Sequence, residues 1–265
     1  MAQTINLTDS RFVSTSDEAE VTDFYKHINV LQQRLEQRST ELSAGQIRHC
    51  LSQWEDITDD KEILNIVKGV DVDFCETEIP SQESVVQMHI SQEQTKAVNT
   101  EVQVLLSKGV VVPCSHSSDE YVSPIFVVPK KDNKFRMILN LKSLNQFVEH
   151  HHFKMESWKY ALTLVSQNYF FCSLDLHDAY FSVHMAPAAL NLLKFVWKGQ
   201  LYKYTAFPNG LASSPRLFTK LLKPAKAHLH KLGFISTIFI FILFLTASFE
   251  PECSCLTGQG LLFTL

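Results

Sequence analysis

Glycine and proline are scarce, 8 and 9 among 265 residues, which excludes a collagen-like chain and argues for regular, well-packed elements over long loops. Six cysteines are present (Cys50, Cys75, Cys114, Cys172, Cys253 and Cys255), but none forms a C-x-x-C pair. Cys253 and Cys255 are too closely spaced for the common zinc knuckles, so the pattern fits a reducing, intracellular compartment. The first twenty residues lack the apolar core of a signal peptide and the basic run of a transit sequence, and a cytoplasmic or nuclear location is expected. Charge is absent altogether from Leu232 to Phe249. That run sits at the lower edge of what spans a bilayer as a helix, which leaves a membrane anchor at 232–249 as a minor reading. Its β-branched and aromatic content favours strands instead, and a membrane partner is not expected.

What is present is enough to build a core: 45% hydrophobic residues, 20% charged ones and 19 phenylalanines, which rules out a wholly disordered chain. The formal charge of -4 hides an asymmetry. Residues 1–100 carry 8 Lys and Arg against 18 Asp and Glu, whereas residues 101–231 carry 16 against 8. An acidic front and a basic body point to a polyanionic partner for the second half.

Residues 1–22 read as a polar, loosely ordered tail. A helical region and linker follow over 23–88. Phe24, Ile28, Leu31 and Leu35 recur at helical spacing toward Leu42, and further helices are predicted over Gln46 to Trp54 and Lys61 to Lys68. Asp59 with Glu62 has the form of a capping box for the last of these, and Gly69 supplies its stop. From residue 89 the pattern becomes mixed. Ser91 with Gln94 caps a helix running to Gly109; short β-branched or aromatic runs then occupy 110–112, 125–128, 135–141, 170–176, 193–197 and 201–206. Helical stretches are expected at Met155 to Val165 and at Ser213 to Leu232, the latter carrying Pro224 and expected to kink there. The pattern is that of an α+β domain.

Three stretches could carry chemistry. In FFCSLDLHDAY, Asp175 stands at the end of an apolar strand with Asp178 just after it. Such carboxylates suit magnesium, which takes oxygen ligands; alternatively Asp178 caps a helix opened by Ala179, and Asp175 is a surface strand end. In VVPKKDNKFRMILNLKSLN, Lys130, Lys131, Lys134 and Arg136 gather at one hairpin tip, either for a phosphate or as a solvated edge. In TAFPNGLASSPRLFTKLL, Pro208-Asn209-Gly210 is a turn that lets backbone approach a ligand. The helix after it offers free amides with Arg216 and Lys220, or is no more than a capped helix behind a loop. His150-His151-His152 is read as a polar turn, because consecutive histidines cannot all face one ion. His228 and His230 point to different sides of one helix and are likewise not read as ligands.

Together, in this order and at these intervals, the motifs resemble the fingers and palm of a retroelement reverse transcriptase. The likeness runs from about Ile47 to about Cys253 and is greatest to the polymerases of DIRS-type, tyrosine-recombinase retrotransposons. It implies a right-hand polymerase fold over 89–249, an antiparallel palm sheet with helices behind a small helical N-terminal region. It also implies an RNA-directed DNA polymerase ancestry, magnesium as the family's cofactor, and template-primer and deoxynucleoside triphosphate as partners. By position Asp175 matches the first metal-binding aspartate. Asp178 and Ala179 match residues whose amides meet the triphosphate, and Tyr180 takes the place of the steric gate against a ribose 2′-hydroxyl. Lys130 or Lys131, together with Arg136, matches the fingers' cations, and Asn209 and Gly210 match the loop beneath the nucleotide.

The chain departs from that pattern where the family carries an aromatic-x-Asp-Asp hairpin. Here the residues are Phe239-Ile240-Phe241-Ile242, so Phe241 and Ile242 replace both aspartates. A metal centre stripped of two anions is expected to be inactive. Residues 250–265 read as a remnant of the next element, cut short, with the thumb absent. The expectation is a polymerase-like fragment that touches nucleic acid and nucleotide without turnover. The alternative is a non-catalytic nucleic-acid-binding or protein-interaction module whose helices before Gly69 supply the partner surface.

Overall fold

The computed structural model describes residues 2–6, 26, 43–75, 82, 90–130, 135–164, 169–176, 178–231, 235–239 and 242–248. The elements in chain order are β1 (Ala2–Asn6), α1 (Leu51–Ile57), α2 (Lys61–Lys68), α3 (Gln92–Ser107), β2 (Val111–Pro113), β3 (Ile125–Pro129), β4 (Phe135–Leu139), α4 (Trp158–Thr163) and β5 (Tyr169–Leu176). They continue with β6 (Lys194–Trp197), β7 (Gln200–Tyr204), α5 (Ser214–Lys231), β8 (Ile235–Phe239) and β9 (Ile242–Ser248). The amphipathic stretch 24–42 and the segment 250–265 lie outside the described residues. The chain divides into two compact units, Met1–Glu41 with Lys154–Ala179 and Leu221–Leu265, and Leu42–Phe153 with Tyr180–Lys220.

The first unit is built on an antiparallel sheet of order β1-β5-β9-β8. Strand β1 corrects the reading of residues 1–22 as tail throughout: Thr4 pairs with Asp175, and Asn6 with Ser173. A polar strand that pairs along one edge leaves little hydrophobic pattern to read. The uncharged run 232–249 supplies β8 and β9, which pair with each other and not as a helix. Among the described residues no helix is long and apolar enough to cross a membrane. Helix α4 starts at Trp158, later than expected, because Ser157 caps it by accepting the Tyr160 N–H. The residues before it bury no apolar face, with Met155 45% exposed.

The second unit holds a three-stranded sheet, β2-β7-β6, and the β3–β4 hairpin. Its core includes Val67, Val98, Leu144, Phe195 and Phe207, all fully buried. The cap of α3 is as expected, with the Ser91 hydroxyl accepting the Gln94 N–H and the Gln94 carboxamide accepting the Ser91 N–H. For α2 the capping residue is Asp60, not Asp59: Asp60 is the last extended residue, and its carboxylate accepts the N–H groups of Glu62 and Ile63. The helices before Gly69 bury Ile47, Trp54, Ile63, Ile66 and Val67, so their apolar faces belong to this unit's own core.

The segment 43–75 braces residues 180–186. Gly45 donates to the Phe181 carbonyl at 2.8 Å and Val70 to the His184 carbonyl at 2.9 Å. Gly45 has a φ of +67, and a Cβ added there would lie 2.9 Å from the His184 Cβ. Only glycine fits that turn.

Candidate functional site

Asp175 and Asp178 belong to the first unit. Asp175 is the penultimate residue of β5, and the register sets it against Thr4 on one side and Ile242 on the other. Directly opposed residues of an antiparallel ladder hold their Cα atoms about 4.5–5.5 Å apart, so Ile242 occupies the position nearest Asp175 on β9. Phe239 closes the turn against Ile242, and Phe241 lies outside the described residues. Asp178 has a φ of +51, a left-handed conformation that Asp and Asn accept more readily than other side chains. Ala179 opens a single 3-10 turn, Ala179–Ser182.

The β8 edge is held by side chains. Glu156 accepts from Lys226, from the Thr237 hydroxyl at 2.6 Å and from the Ile238 N–H at 2.9 Å. The Ser236 N–H donates to His230 Nε2 at 3.1 Å. Burial alone would raise the Glu156 carboxyl, but the hydrogen bonds from Lys226, Thr237 and Ile238 and the Lys226 charge bring it below the ordinary range.

The other expected residues lie in the second unit. Lys130 and Arg136 are exposed, Arg136 standing opposite Val128 in the β3–β4 ladder; Lys131 and Lys134 lie outside the described residues. Tyr180 is half-buried and meets Phe207 and Phe218 edge-on, with ring centroids 6.4 and 5.4 Å away. Burial pushes its hydroxyl up to about 12. Asn209 and Gly210 are exposed in the loop that follows Phe207, with Gly210 at a φ of +98.

One reading is corrected here. Arg216 and Lys220 do not stand ready for a ligand at the start of α5: Arg216 Nη2 lies 3.4 Å from Asp73, and Lys220 pairs with Glu62. The acidic front thus meets part of the basic body within one unit. The triple histidine is exposed, with His151 3.5 Å from Glu149, and no group of three metal-ligating side chains occurs among the described residues.

Two side chains make long-range contacts that the sequence does not reveal. Asn145 holds the 208–212 loop, its Nδ2 donating to the Gly210 carbonyl at 2.8 Å and its Oδ1 accepting the Ala212 N–H at 2.9 Å. Its place in the basic motif was visible, but a partner 65 positions away was not. Lys194 is 1% exposed and donates to the Ser115 carbonyl, the Ser117 hydroxyl and Glu120 at 3.2, 2.9 and 2.8 Å. Burial would raise Glu120, yet hydrogen bonds from His116, Lys194 and the Ser117 N–H, with the Lys194 charge, bring it down to about 2.

Residues 128–242 match the family model described as reverse transcriptase (RNA-dependent DNA polymerase). The Pro-Pol polyprotein of simian foamy virus type 3 (strain LK3) is 27% identical over 133 residues, which is 50% of this chain and 11% of that protein. The retrovirus-related Pol polyprotein from transposon 297 of Drosophila melanogaster is 26% identical over 169 residues, 60% of this chain and 16% of that one. The chain therefore spans a small part of the length of the curated relatives it matches. Among solved structures, native prototype foamy virus protease-reverse transcriptase superposes with a TM-score of 0.55 at 22% identity, covering 69% of this chain and 24% of that one. The foamy viral protease-reverse transcriptase in complex with dsDNA gives 0.58 at 19% identity, covering 82% and 49%. Its complex with an RNA/DNA hybrid gives 0.57 at 18%, covering 81% and 31%. These likenesses establish the polymerase fold.

Proposed function

We propose, from the premise that this chain belongs to the retroelement reverse transcriptases through residues 128–242, that it binds template-primer and deoxynucleotide inside the cell but does not extend the primer. The observation that carries this reading is the register of the first unit, where Asp175 faces Ile242. Phosphoryl transfer with two metal ions needs several carboxylates to hold the cations and offset charge on the attacking and leaving oxygens. One aspartate opposite an isoleucine, with a phenylalanine preceding that isoleucine in the sequence, does not make that donor set. The residues present do not fit the family's magnesium pair, and no catalytic step is assigned through it.

Binding has separate support. The body carries the cations that draw a polyanion, and two solved relatives of this fold are complexes with dsDNA and with an RNA/DNA hybrid. In this reading Lys130, Lys131 and Arg136 meet phosphates, Asp178 and Ala179 offer amides, Tyr180 limits the sugar, and Asn209 with Gly210 lies under the base. The helices at 46–68 bury Ile47, Trp54, Ile63, Ile66 and Val67 within their own unit, whereas the amphipathic stretch 24–42, the other surface a protein partner would use, lies outside the described residues.

The test is primer extension by the purified chain with magnesium or manganese, run beside filter binding of the same primed template. Retention that weakens with salt and no extension is the expected result. Extension that D175N abolishes would overturn the inactive assignment, and no retention at low salt would remove the nucleic-acid reading.

A further inference from the structure

Asn145 lies in the 3-10 turn Leu144–Gln146 that follows β4, and its own N–H is tied to the Leu141 carbonyl at 2.8 Å. Its neighbour Leu144 is fully buried, so the turn is anchored before the side chain reaches out. From there one carboxamide satisfies both sides of the loop, donating to Gly210 and accepting from Ala212. The loop also sits close to β4, with the Leu139 carbonyl 3.6 Å from where a Gly210 Cβ would be. Arg136 is three residues earlier on that strand.

We propose that Asn145 is a positioning residue that fixes the Pro208–Ala212 loop against β4, and so sets the spacing between the Asn209–Gly210 backbone and Arg136. The nucleotide consequence rests on the functional reading above; the loop clamp itself does not. The chemistry is selective for asparagine. Aspartate has no donor for the Gly210 carbonyl and sets an anion against it, alanine offers neither group, and glutamine offers both on a stem one methylene longer. The clamp closes a separation of 65 residues, so its loss frees the loop without unmaking a local element.

The experiment is hydrogen exchange of peptides covering 208–213 in the full chain and in N145A, N145D and N145Q, alongside binding of a fluorescent deoxynucleoside triphosphate. Exchange in that peptide is expected to rise about tenfold in N145A and N145D, the scale of one to two net hydrogen bonds, with N145Q in between. Nucleotide affinity is expected to fall in the same order while exchange of α3 stays at the parent level. Unchanged exchange at 208–213 overturns the clamp. Faster exchange at undiminished nucleotide affinity overturns its role in spacing the site. Should the parent bind no nucleotide, the functional reading fails, and the exchange order alone decides whether Asn145 holds the loop. Where N145A unfolds as a whole, N145Q carries the test.

Discussion

Two hairpins of this chain differ at the tip and agree at the base. The sequence joining β3 to β4 is rich in cations, with Lys130, Lys131 and Lys134 and then Arg136 on β4, whereas the β8–β9 hairpin lies in a stretch without any charge from 232 to 249. Yet each is footed on a lysine–glutamate pair. Lys194 and Glu120 tie down the segment leading into β3, and Lys226 and Glu156 hold β8. Each pair lies away from the tip beside which it stands, so under the reading proposed above a tip could change its charge while its strands stay paired.

The sharpest way to break the comparison is to recharge the silent tip. In F241D/I242D the second aspartate enters β9 opposite Asp175, and divalent-metal-dependent extension should rise at least about a thousandfold above the parent's background. Metal charge stabilisation of this kind is worth several kcal/mol, and 1.36 kcal/mol is a factor of ten. Extension that D175N then removes would confirm that only carboxylates were wanting. No gain, with metal still unbound by calorimetry, would mean that the register alone does not rebuild the centre.

Removing the footing of the charged hairpin is next in size. K194A takes the ammonium from Glu120, which keeps its bonds from His116 and the Ser117 N–H, and the expected cost is about 2–3 kcal/mol by urea denaturation. The pH dependence has a definite sign. Glu120 titrates at about 2 in the folded chain against an ordinary 4.5, so its contribution is whole above 4.5 and lost as the pH falls toward 2. The acid limb of the parent's stability curve should flatten in K194A, and an unchanged limb would move the depression to other partners.

Much of this was legible in the sequence, and what was not has physical causes. The Ser91–Gln94 cap, the Gly69 stop, the strands at 125–129 and 169–176 and the helix after Ser213 are local patterns, and they folded nearly where expected. Asp59 has the capping-box spacing to Glu62 and Asp60 has only Ile63 at that distance, yet backbone geometry makes Asp60 the last extended residue and the cap. Lys194 lies in an apolar run, where a lysine reads as a strand's solvent side until Glu120 and Ser117 converge on it from 74 and 77 residues away. Of the candidate site, the residue types were legible, but Asn145 and the engagement of Arg216 and Lys220 by acids of the front segment were long-range facts.

The footing of the silent hairpin should matter less. Glu156 is about a third exposed, and E156A removes its bonds to Thr237 and the Ile238 N–H together with the Lys226 pair, an expected loss of about 2 kcal/mol. E156Q keeps the length and one acceptor oxygen and should recover part of it. Because the Glu156 carboxyl is held below its ordinary range, its share is present above the usual carboxylate pKa and fades in acid. Equal stability of E156A and the parent would show that β8 is held by its pairing with β9 alone.

The smallest effect lies at the charged tip. Arg136 is exposed on the ladder opposite Val128, so truncating it removes a cation without opening the core. R136A should leave the denaturation midpoint within about 0.5 kcal/mol of the parent, as surface changes do. Its signature belongs to binding: each phosphate contact releases a condensed counterion, and losing one lowers the slope of log affinity against log salt by about 1. A lower slope at preserved stability would set Arg136 on the nucleic-acid backbone. A parent slope retained, with nucleotide affinity reduced instead, would set it on the triphosphate, and the two hairpins would then differ in which ligand they serve as well as in charge.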